Sequence, residues 1–415
     1  MDSGTLGTLT VILAVAVLAP FLAELLKRFR VSAVVIEILA GIVVGPQLLG
    51  LGQLDPTIQS ISSLGLAFLM FLAGYEVDFA RIKGTPLKLA TKGWLFSLVL
   101  GLAIGFLLQE EGKAVSGLII GLILTTTALG TMLPMWRDAG LLRGRFGTHL
   151  LAVGTLGEFG PIVAIALLLS GHRPRQASLL LVLFVIVAVG TAMVAAQPKR
   201  PRLVRILQAN LNTSAQLPVR VSVLLIVVLL WIANSLGLDV LLGAFTAGIV
   251  VRLGIKGPDE NVIRIKLEAI GFGFFIPIFF VVSGMQFDLD GLVSTTRSLV
   301  ILPAALGLFL LIRGLPVFLF YRDELEPDER WPFALFSAAG LPLIVAISQI
   351  GVVTGRLAPP SAAALVGAGI LSVTIYPLIA FSLLQRQSPK AAEPAEPSDG
   401  PEKPAGQETT SDGTA

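Results

Sequence analysis

The acidic residue Glu158 is the side chain in this sequence best placed to do chemistry. It lies near the centre of a long apolar run, THLLAVGTLGEFGPIVAIALLLS, with Gly157 before it and Gly160 and Pro161 after it. A charge at mid-membrane depth costs at least about 2.5 to 3.5 kcal/mol, so it requires a partner or a function. The glycines leave room for a small ligand, and the proline loosens the helix backbone. Because carboxylate oxygens accept either a proton or a metal cation, the sequence predicts a cation- and proton-binding site at Glu158.

A single basic residue, Arg313, lies equally deep in another apolar run, LGLFLLIRGLPVFLF. Opposite charges that are both buried are natural partners, so we expect Arg313 to be an ion-pair partner of Glu158. In a functional interpretation, Arg313 holds the empty carboxylate ionised between turnovers. The structural alternatives are an ion pair that only braces two helices, or a neutral, hydrogen-bonded Glu158.

Two further apolar runs each combine hydroxyl side chains, a glycine and a proline. They are LILTTTALGTMLPM, from 122 to 135, and LFSAAGLPLIVAIS, from 335 to 348. Interrupted helices at matching places in two halves of a chain indicate inverted repeats, whose freed backbone groups and half-helix ends coordinate ions. The alternative is a pair of ordinary proline kinks. The predicted break residues are Gly130, Pro134, Gly340 and Pro342, and the predicted additional oxygen ligands are Thr126, Thr127 and Thr131.

The composition excludes a soluble protein. Of the 415 residues, 54% are hydrophobic and only 14% are charged, whereas soluble domains carry about 25% charge. There is no cysteine, and His149 and His172 are too few for a histidine metal centre. No nucleophile–base pair, phosphate loop or GxGxxG turn after a strand is present, so we expect no enzyme activity, no cofactor and no bound nucleotide.

The apolar segments predict an all-α polytopic membrane protein of about thirteen transmembrane helices, since about 20 apolar residues cross the hydrocarbon core. The first span reads as a retained helix, because MDSGTLGTL lacks the basic start of a signal peptide. The thirteen predicted spans are 5–26, 32–50, 58–76, 91–109, 115–136, 148–170, 177–196, 219–237, 239–256, 268–285, 298–320, 331–351 and 361–384.

The basic residues predict the orientation of the chain. If the N-terminus is outside, 24 of the 30 lysines and arginines fall in inner segments, as the positive-inside rule requires. The sequence therefore predicts an N-out, C-in topology, and it predicts that the basic loop 197–220 is a cytoplasmic flank and not a nucleic-acid site. Residues 1–386 form the predicted membrane domain, and the Pro/Glu/Ser-rich segment 387–415 is predicted to be a disordered cytoplasmic tail.

Five phrases in family order resemble the monovalent cation:proton antiporter-2 family over residues 1 to about 385. They are EILAGIVVGP (37–46), LMFLAGYEVD (69–78), LTTTAL (124–129), GLDVLLGAFTAG (237–248) and GFFIPIFFVVSGMQFD (273–288). The resemblance implies a sodium/proton antiporter-like fold in which a core domain moves against a dimerisation domain in a homodimer. It also implies that two broken helices cross beside a paired polar-acidic motif, and Gly157-Glu158 stands in that place. The sequence departs from the motif, since glycine replaces the first polar residue and glutamate replaces aspartate.

The resemblance implies exchange of Na⁺ or K⁺ for H⁺ across a prokaryotic cell membrane, in the service of pH and cation homeostasis. With one mid-membrane carboxylate in place of two, we expect electroneutral one-for-one exchange by alternating access. The rival interpretations are a proton-uncoupled channel or uniporter, an organic-anion symporter on the same scaffold, and a cation sensor that uses the tail to bind a partner.

Overall fold

In the computed structural model the chain is helical, and no strand occurs among the residues that the structure describes. The described residues are 3–26, 32–77, 79–110, 116–168, 176, 179–180, 182–184, 186–188, 190–191, 213, 215–254, 260–294 and 296–387. Residues 388–415 of the predicted tail 387–415, and most of the basic loop 197–220, lie outside this set.

The helices follow one another with short connections. In chain order they are α1 (Ser3–Leu25), α2 (Ala33–Val44), α3 (Pro56–Glu76), α4 (Phe79–Ile82), α5 (Thr85–Glu110), α6 (Gly117–Ile123), α7 (Leu129–Asp138), α8 (Gly144–Leu168), α9 (Leu217–Ser235), α10 (Val240–Gly254), α11 (Glu260–Ile270), a π-helical turn (Gly271–Phe275), α12 (Ile276–Met285), α13 (Leu289–Ser294), α14 (Thr296–Phe320), α15 (Arg330–Ala338), α16 (Pro342–Val353) and α17 (Pro359–Gln387).

Nine helical segments in the described part of the chain are long and apolar enough to cross a membrane, and α2 and α10 are shorter apolar helices. These segments, together with the pair α6–α7, match the predicted spans except for 177–196, which is described only in part. In that span every described residue is helical. The polytopic helical fold is therefore confirmed, while the count of thirteen spans and the N-out orientation stay predictions.

Local sequence determines where several helices begin and end. Helix α2 ends at Val44, earlier than the predicted residue 50, because Gly45 is followed by Pro46, which cannot continue a helix. Helix α3 begins at Pro56 behind Asp55, whose carboxylate accepts hydrogen bonds of 2.8 Å from the Thr57 and Ile58 N–H groups. The Thr5 hydroxyl and these N–H groups hold the pKa of Asp55 below its usual value, and the Thr5 bond ties α1 to α3.

The helices form two bundles. Helices α1–α3 pack mainly against α9–α12, whereas α5–α8 pack mainly against α14–α17, and few contacts join the two sets. Glycines allow the closest approaches within each bundle: a Cβ on Gly74 or Gly248 would overlap the backbone of the facing helix, as would one on Gly105 or Gly117. Because apolar side chains gain little by leaving lipid, close packing of this kind is a main source of cohesion in membranes.

We expect Gly248→Ala to destabilise the protein, because its new Cβ would overlap the Phe71 carbonyl oxygen and the Tyr75 nitrogen across the α3–α10 contact. Overpacking of this kind costs about 1–3 kcal/mol, so the thermal unfolding midpoint in detergent should fall. Gly307→Ala in α14 is the matched control. Its Cβ meets no atom within 4 Å, and the helix should gain about 0.5–1 kcal/mol. Equal midpoints for the two variants would contradict the packing argument.

Candidate ion-binding site

The first break in a spanning helix covers residues 124–128, between α6 and α7. Here the Thr125 and Thr126 hydroxyls donate to the carbonyls of Leu122 and Ile123, at 2.8 and 2.9 Å. Side-chain bonds to nearby carbonyls offer the backbone an alternative to helical pairing. The sequence prediction placed this break at Gly130 and Pro134. The structure places both residues beyond it, inside α7.

The second break covers residues 339–341, between α15 and α16. Gly340 lies within it and Pro342 is the first residue of α16, where a missing N–H is harmless. The freed N–H of Gly340 donates to the Ser372 hydroxyl of α17 at 3.1 Å. Both residues therefore lie where the sequence predicts them.

The two breaks are in direct contact. The Ala128 N–H donates to the Ala339 carbonyl at 2.8 Å, and the Thr127 hydroxyl donates to the Ser337 carbonyl at 2.6 Å. Gly340 packs so closely on Thr126 that a Cβ would lie 2.9 Å from the threonine Oγ1. Each break thus supplies partners for the backbone groups that the other leaves free, as a low-polarity environment requires.

Pro161 in α8 joins this helix to the first break. A proline has no N–H, so the Gly157 carbonyl, four residues earlier, receives no helical hydrogen bond from that position. It accepts instead from the Thr127 N–H at 2.9 Å. Pro161 therefore frees the Gly157 carbonyl, and this carbonyl fixes the first break against α8.

The Glu158 carboxyl lies at the N-terminal end of α7. The side chain is 1% exposed, and its Oε2 accepts from the Gly130 N–H at 3.3 Å, with the Leu129 N–H also facing it. A helix N-terminus carries a partial positive charge that favours an anionic group. Its Oε1 is buried and has no hydrogen-bond partner. One oxygen is therefore held by the protein and the other is open to a proton or a cation.

Arg313 is not an ion-pair partner of Glu158 in this structure, contrary to the sequence expectation. The guanidinium is 3% exposed, and its Nη2 and Nε donate to the Thr127 hydroxyl at 2.8 and 3.0 Å. Longer bonds of 3.4 Å reach the carbonyls of Ser337 and Val153. The arginine therefore binds the crossing of the two breaks and not the carboxylate.

Position 157 lies so close to Thr127 and Arg313 that only glycine fits there. A Cβ at this position would lie 2.5 Å from the Thr127 side chain and 2.7 Å from the Arg313 Nη2. The departure from the polar-acidic motif thus has a steric cause: the space of a polar side chain is occupied by the arginine and the threonine.

The predicted threonine ligands have different surroundings. Thr127 donates to Ser337 and accepts two bonds from Arg313, so its oxygen is already used. The Thr126 and Thr131 hydroxyls donate to carbonyls one turn earlier, which leaves oxygen lone pairs available. Of the three threonines, Thr126 and Thr131 have hydroxyl oxygens that can still act as ligands of a cation.

A cavity of about 200 Å³, here the inner cavity, reaches this site between the two bundles. It touches Leu129 at the start of α7 and Thr155 one turn before Glu158. Glu76, at the end of α3, also lines it, with its Oε2 buried and unpaired and its charge repelled by that of Glu158. Glu76 is the last residue of the predicted span 58–76, and only the packing of α3 reveals its proximity to the site. The basic lining residues are Arg81, Arg137, Arg252 and Arg264.

Two interrupted helices that cross beside a buried carboxyl group are the arrangement in which secondary transporters bind ions. The chain belongs to the transmembrane sodium/hydrogen exchanger family, whose model matches residues 13–386. The resemblance found in the sequence is thereby confirmed.

Relatives with assigned names are similar over most of the chain. YjbQ of Bacillus subtilis, named as a Na⁺/H⁺ antiporter, is 28% identical over 93% of this chain and 64% of its own length. GerN of Bacillus cereus, named as a Na⁺/H⁺-K⁺ antiporter, is 26% identical over 65% of this chain and 69% of its own length. The chain thus spans about two thirds of the length of these relatives.

The fold is also that of a solved antiporter. The sodium proton antiporter MjNhaP1 from Methanocaldococcus jannaschii, solved at pH 8, matches 90% of this chain and 97% of its own at a TM-score of 0.61. A second structure of the same protein gives a TM-score of 0.66 over 94% of this chain. At 18% identity this likeness shows the fold alone.

We expect Gly157→Ala to abolish ion exchange, because the added Cβ displaces Arg313 or Thr127 and so disturbs the crossing. The matched control is Gly130→Ala. Its Cβ meets no atom within 4 Å, and it retains the N–H that faces Glu158. Exchange driven by a pH gradient in proteoliposomes should be lost in the first variant and kept in the second. The reverse order would contradict the packing of Gly157 described above.

Proposed function

We propose that this protein is a secondary antiporter that exchanges Na⁺ or K⁺ for H⁺ across the cell membrane. The observation that carries the proposal is the Glu158 carboxyl, with one oxygen held by the start of α7 and the other buried and unpaired. An unpaired buried carboxyl oxygen is costly unless a proton or a cation occupies it. The printed names of the relatives, Na⁺/H⁺ and Na⁺/H⁺-K⁺ antiporters, support the same two ions.

In the proposed cycle, Glu158 carries either a proton or a cation but never both. A cation that binds through the inner cavity displaces the proton from the same carboxyl group, and the proton leaves by the same route. Thr126 and Thr131 offer further oxygens near the bound cation. The N–H groups at the start of α7 stabilise the carboxylate in the moment between proton loss and cation arrival.

Arg313 is a positioning residue in this proposal. Its bonds to Thr127 and to the Ser337 carbonyl hold the two breaks together, and it makes no ion pair with Glu158. The Oε1 of the carboxyl therefore stays available to a cation. This role differs from that of the ion-pair partner expected from the sequence.

The exchange is electroneutral, one cation for one proton. Glu158 is the carboxyl at the crossing. One carboxyl group binds one proton or one monovalent cation at a time, and either of them neutralises its single negative charge. The number of charges moved in each direction is then the same.

The few contacts between the two bundles support alternating access in which α5–α8 and α14–α17 move as a core against α1–α3 and α9–α12. The bundle of α1–α3 and α9–α12 would supply the dimer interface of a homodimer. Residues 1–386 form the transporting domain in this proposal, and the segment from 387 onward is an appended cytoplasmic tail.

We expect Glu158→Gln to reduce exchange to the background of empty liposomes, because a neutral amide neither gains a proton nor attracts a cation. Dye quenching driven by a pH gradient, with Na⁺, Li⁺, K⁺ and Rb⁺ compared, measures this. Gel filtration and the thermal unfolding midpoint check that the variant is folded. Cation-dependent proton flux that survives in a folded Glu158→Gln protein would exclude Glu158 as the exchange site.

The stoichiometry has a separate test. At a fixed pH gradient, an imposed membrane potential should leave the initial rate of exchange unchanged, because an electroneutral cycle moves no net charge. A rate that rises or falls with a valinomycin-clamped potential would instead indicate unequal numbers of protons and cations. Cation flux without any proton flux would favour the channel or uniporter interpretation.

A further inference from the structure

A second cavity, of about 420 Å³, lies between the two bundles at the end opposite to the inner cavity. Helix α3 lines it near its N-terminal end, with Ser62 and Leu66, whereas Glu76 at the C-terminal end of α3 lines the inner cavity. Helices α12, α16 and α17 form its other walls. We name it the outer cavity, in keeping with the predicted orientation.

Oxygen-bearing side chains from both bundles face the outer cavity. Four of them are serines: Ser62 and Ser63 in α3, Ser283 in α12 and Ser348 in α16. Ser348 is 2% exposed, and its hydroxyl is buried without a hydrogen-bond partner. A buried hydroxyl without a partner is unfavourable unless a ligand supplies one.

The two cavities differ in the sign of their charge. Asp288 is the one charged residue among the described residues that line the outer cavity. Its Oδ1 is fixed by the Gly291 N–H at 2.9 Å and the Gln47 amide at 3.3 Å. The inner cavity, by contrast, is lined by four arginines and one glutamate. A monovalent cation therefore meets an attractive potential on the outer side and a far less favourable one on the inner side.

The outer cavity also extends towards the crossing of the two breaks. It follows α16 from Val353 at the far end of that helix inward to Val345. Val345 is one helical turn from Leu341 in the second break, which corresponds to about 6 Å along the axis. The hydroxyl of Ser348 lies along this path.

We propose that the outer cavity is a second binding site for a monovalent cation, which holds the ion with part of its hydration shell before the ion reaches Glu158. Asp288 attracts the cation, and the hydroxyl oxygens of Ser62, Ser283 and Ser348 replace part of its water. The cavity is too wide to enclose a bare ion, so the site binds weakly and distinguishes Na⁺ from K⁺ poorly. This proposal rests on the proposed function, because it assigns the outer half of the same ion pathway.

Binding is tested directly on the purified full-length chain by ²³Na NMR line broadening. Every variant carries Glu158→Gln, which removes the central site. Excess broadening should persist in Glu158→Gln, fall by at least about half when Asp288→Asn is added, and stay unchanged when Asp290→Asn is added. Asp290 is the matched control because it is exposed and does not line the cavity. Asparagine at 288 can still accept the Gly291 N–H, so the turn should be preserved.

Ser348→Ala provides a second variant that removes no charge, and it should also reduce the broadening. Two results would overturn the proposal: no excess broadening in Glu158→Gln, or equal broadening in the Asp288→Asn and Asp290→Asn variants. This measurement does not depend on transport. It therefore decides the outer site even if the wild-type protein proves to exchange no ions, a result that would overturn only the proposed function.

A transport measurement then tests the role of the site. Loss of one charge about 4 Å from an ion in water changes its binding about five-fold, so Asp288→Asn should raise the KM for external cation about five-fold. The KM for internal cation should stay unchanged, as should both constants in Asp290→Asn. An unchanged external KM in Asp288→Asn would show that the outer cavity does not load the transporter.

Discussion

The site depends on the way in which Thr127 joins four parts of the chain. Its N–H binds the Gly157 carbonyl of α8, and its hydroxyl donates to Ser337 of α15 and accepts from Arg313 of α14. An unwound segment inside a membrane is stable only if its polar backbone groups find partners within the protein. Thr127 supplies three such connections from one residue, so the broken helices remain crossed without relying on water.

A consequence of this arrangement is that the buried charges are kept apart. A buried arginine and a buried glutamate would ordinarily pair, and the pair would occupy the carboxylate. Here Arg313 is satisfied by a hydroxyl and by carbonyls, while Glu158 is satisfied on one side by N–H groups at the start of α7. Neutral dipoles thus stabilise both charges, and an oxygen of the carboxylate stays open to exchange.

Sequence patterns predict the parts of this structure that depend on composition and on the backbone. Span length follows from apolar runs, and the second break lies where Gly340 and Pro342 predict it, because proline and glycine act through their own backbone. The first break does not lie at Gly130 and Pro134, since it is determined by threonine hydroxyls that bond to the preceding turn and by a carbonyl from Ala339, 211 residues away.

The partners of the charged residues were less predictable for the same reason. A sequence presents charged residues as the obvious partners of charged residues, so it predicts that Arg313 pairs with Glu158. The acceptors in the structure are uncharged groups that tertiary folding brings together. Glu76 illustrates the opposite case. It is the last residue of the predicted span 58–76, and only the packing of α3 on α10 places its carboxyl beside the cavity that reaches the site.

The lack of space at Gly157 also constrains how this site could change over evolutionary time. Any side chain at that position collides with Thr127 and Arg313 together, so a polar residue there is compatible only with smaller groups at both of those positions. The three positions therefore form an epistatic unit, in which the fitness of a residue at one depends on the other two. A lineage could pass between the glycine form and a polar-acidic form only through coupled substitutions at all three positions, with the shrinking changes first.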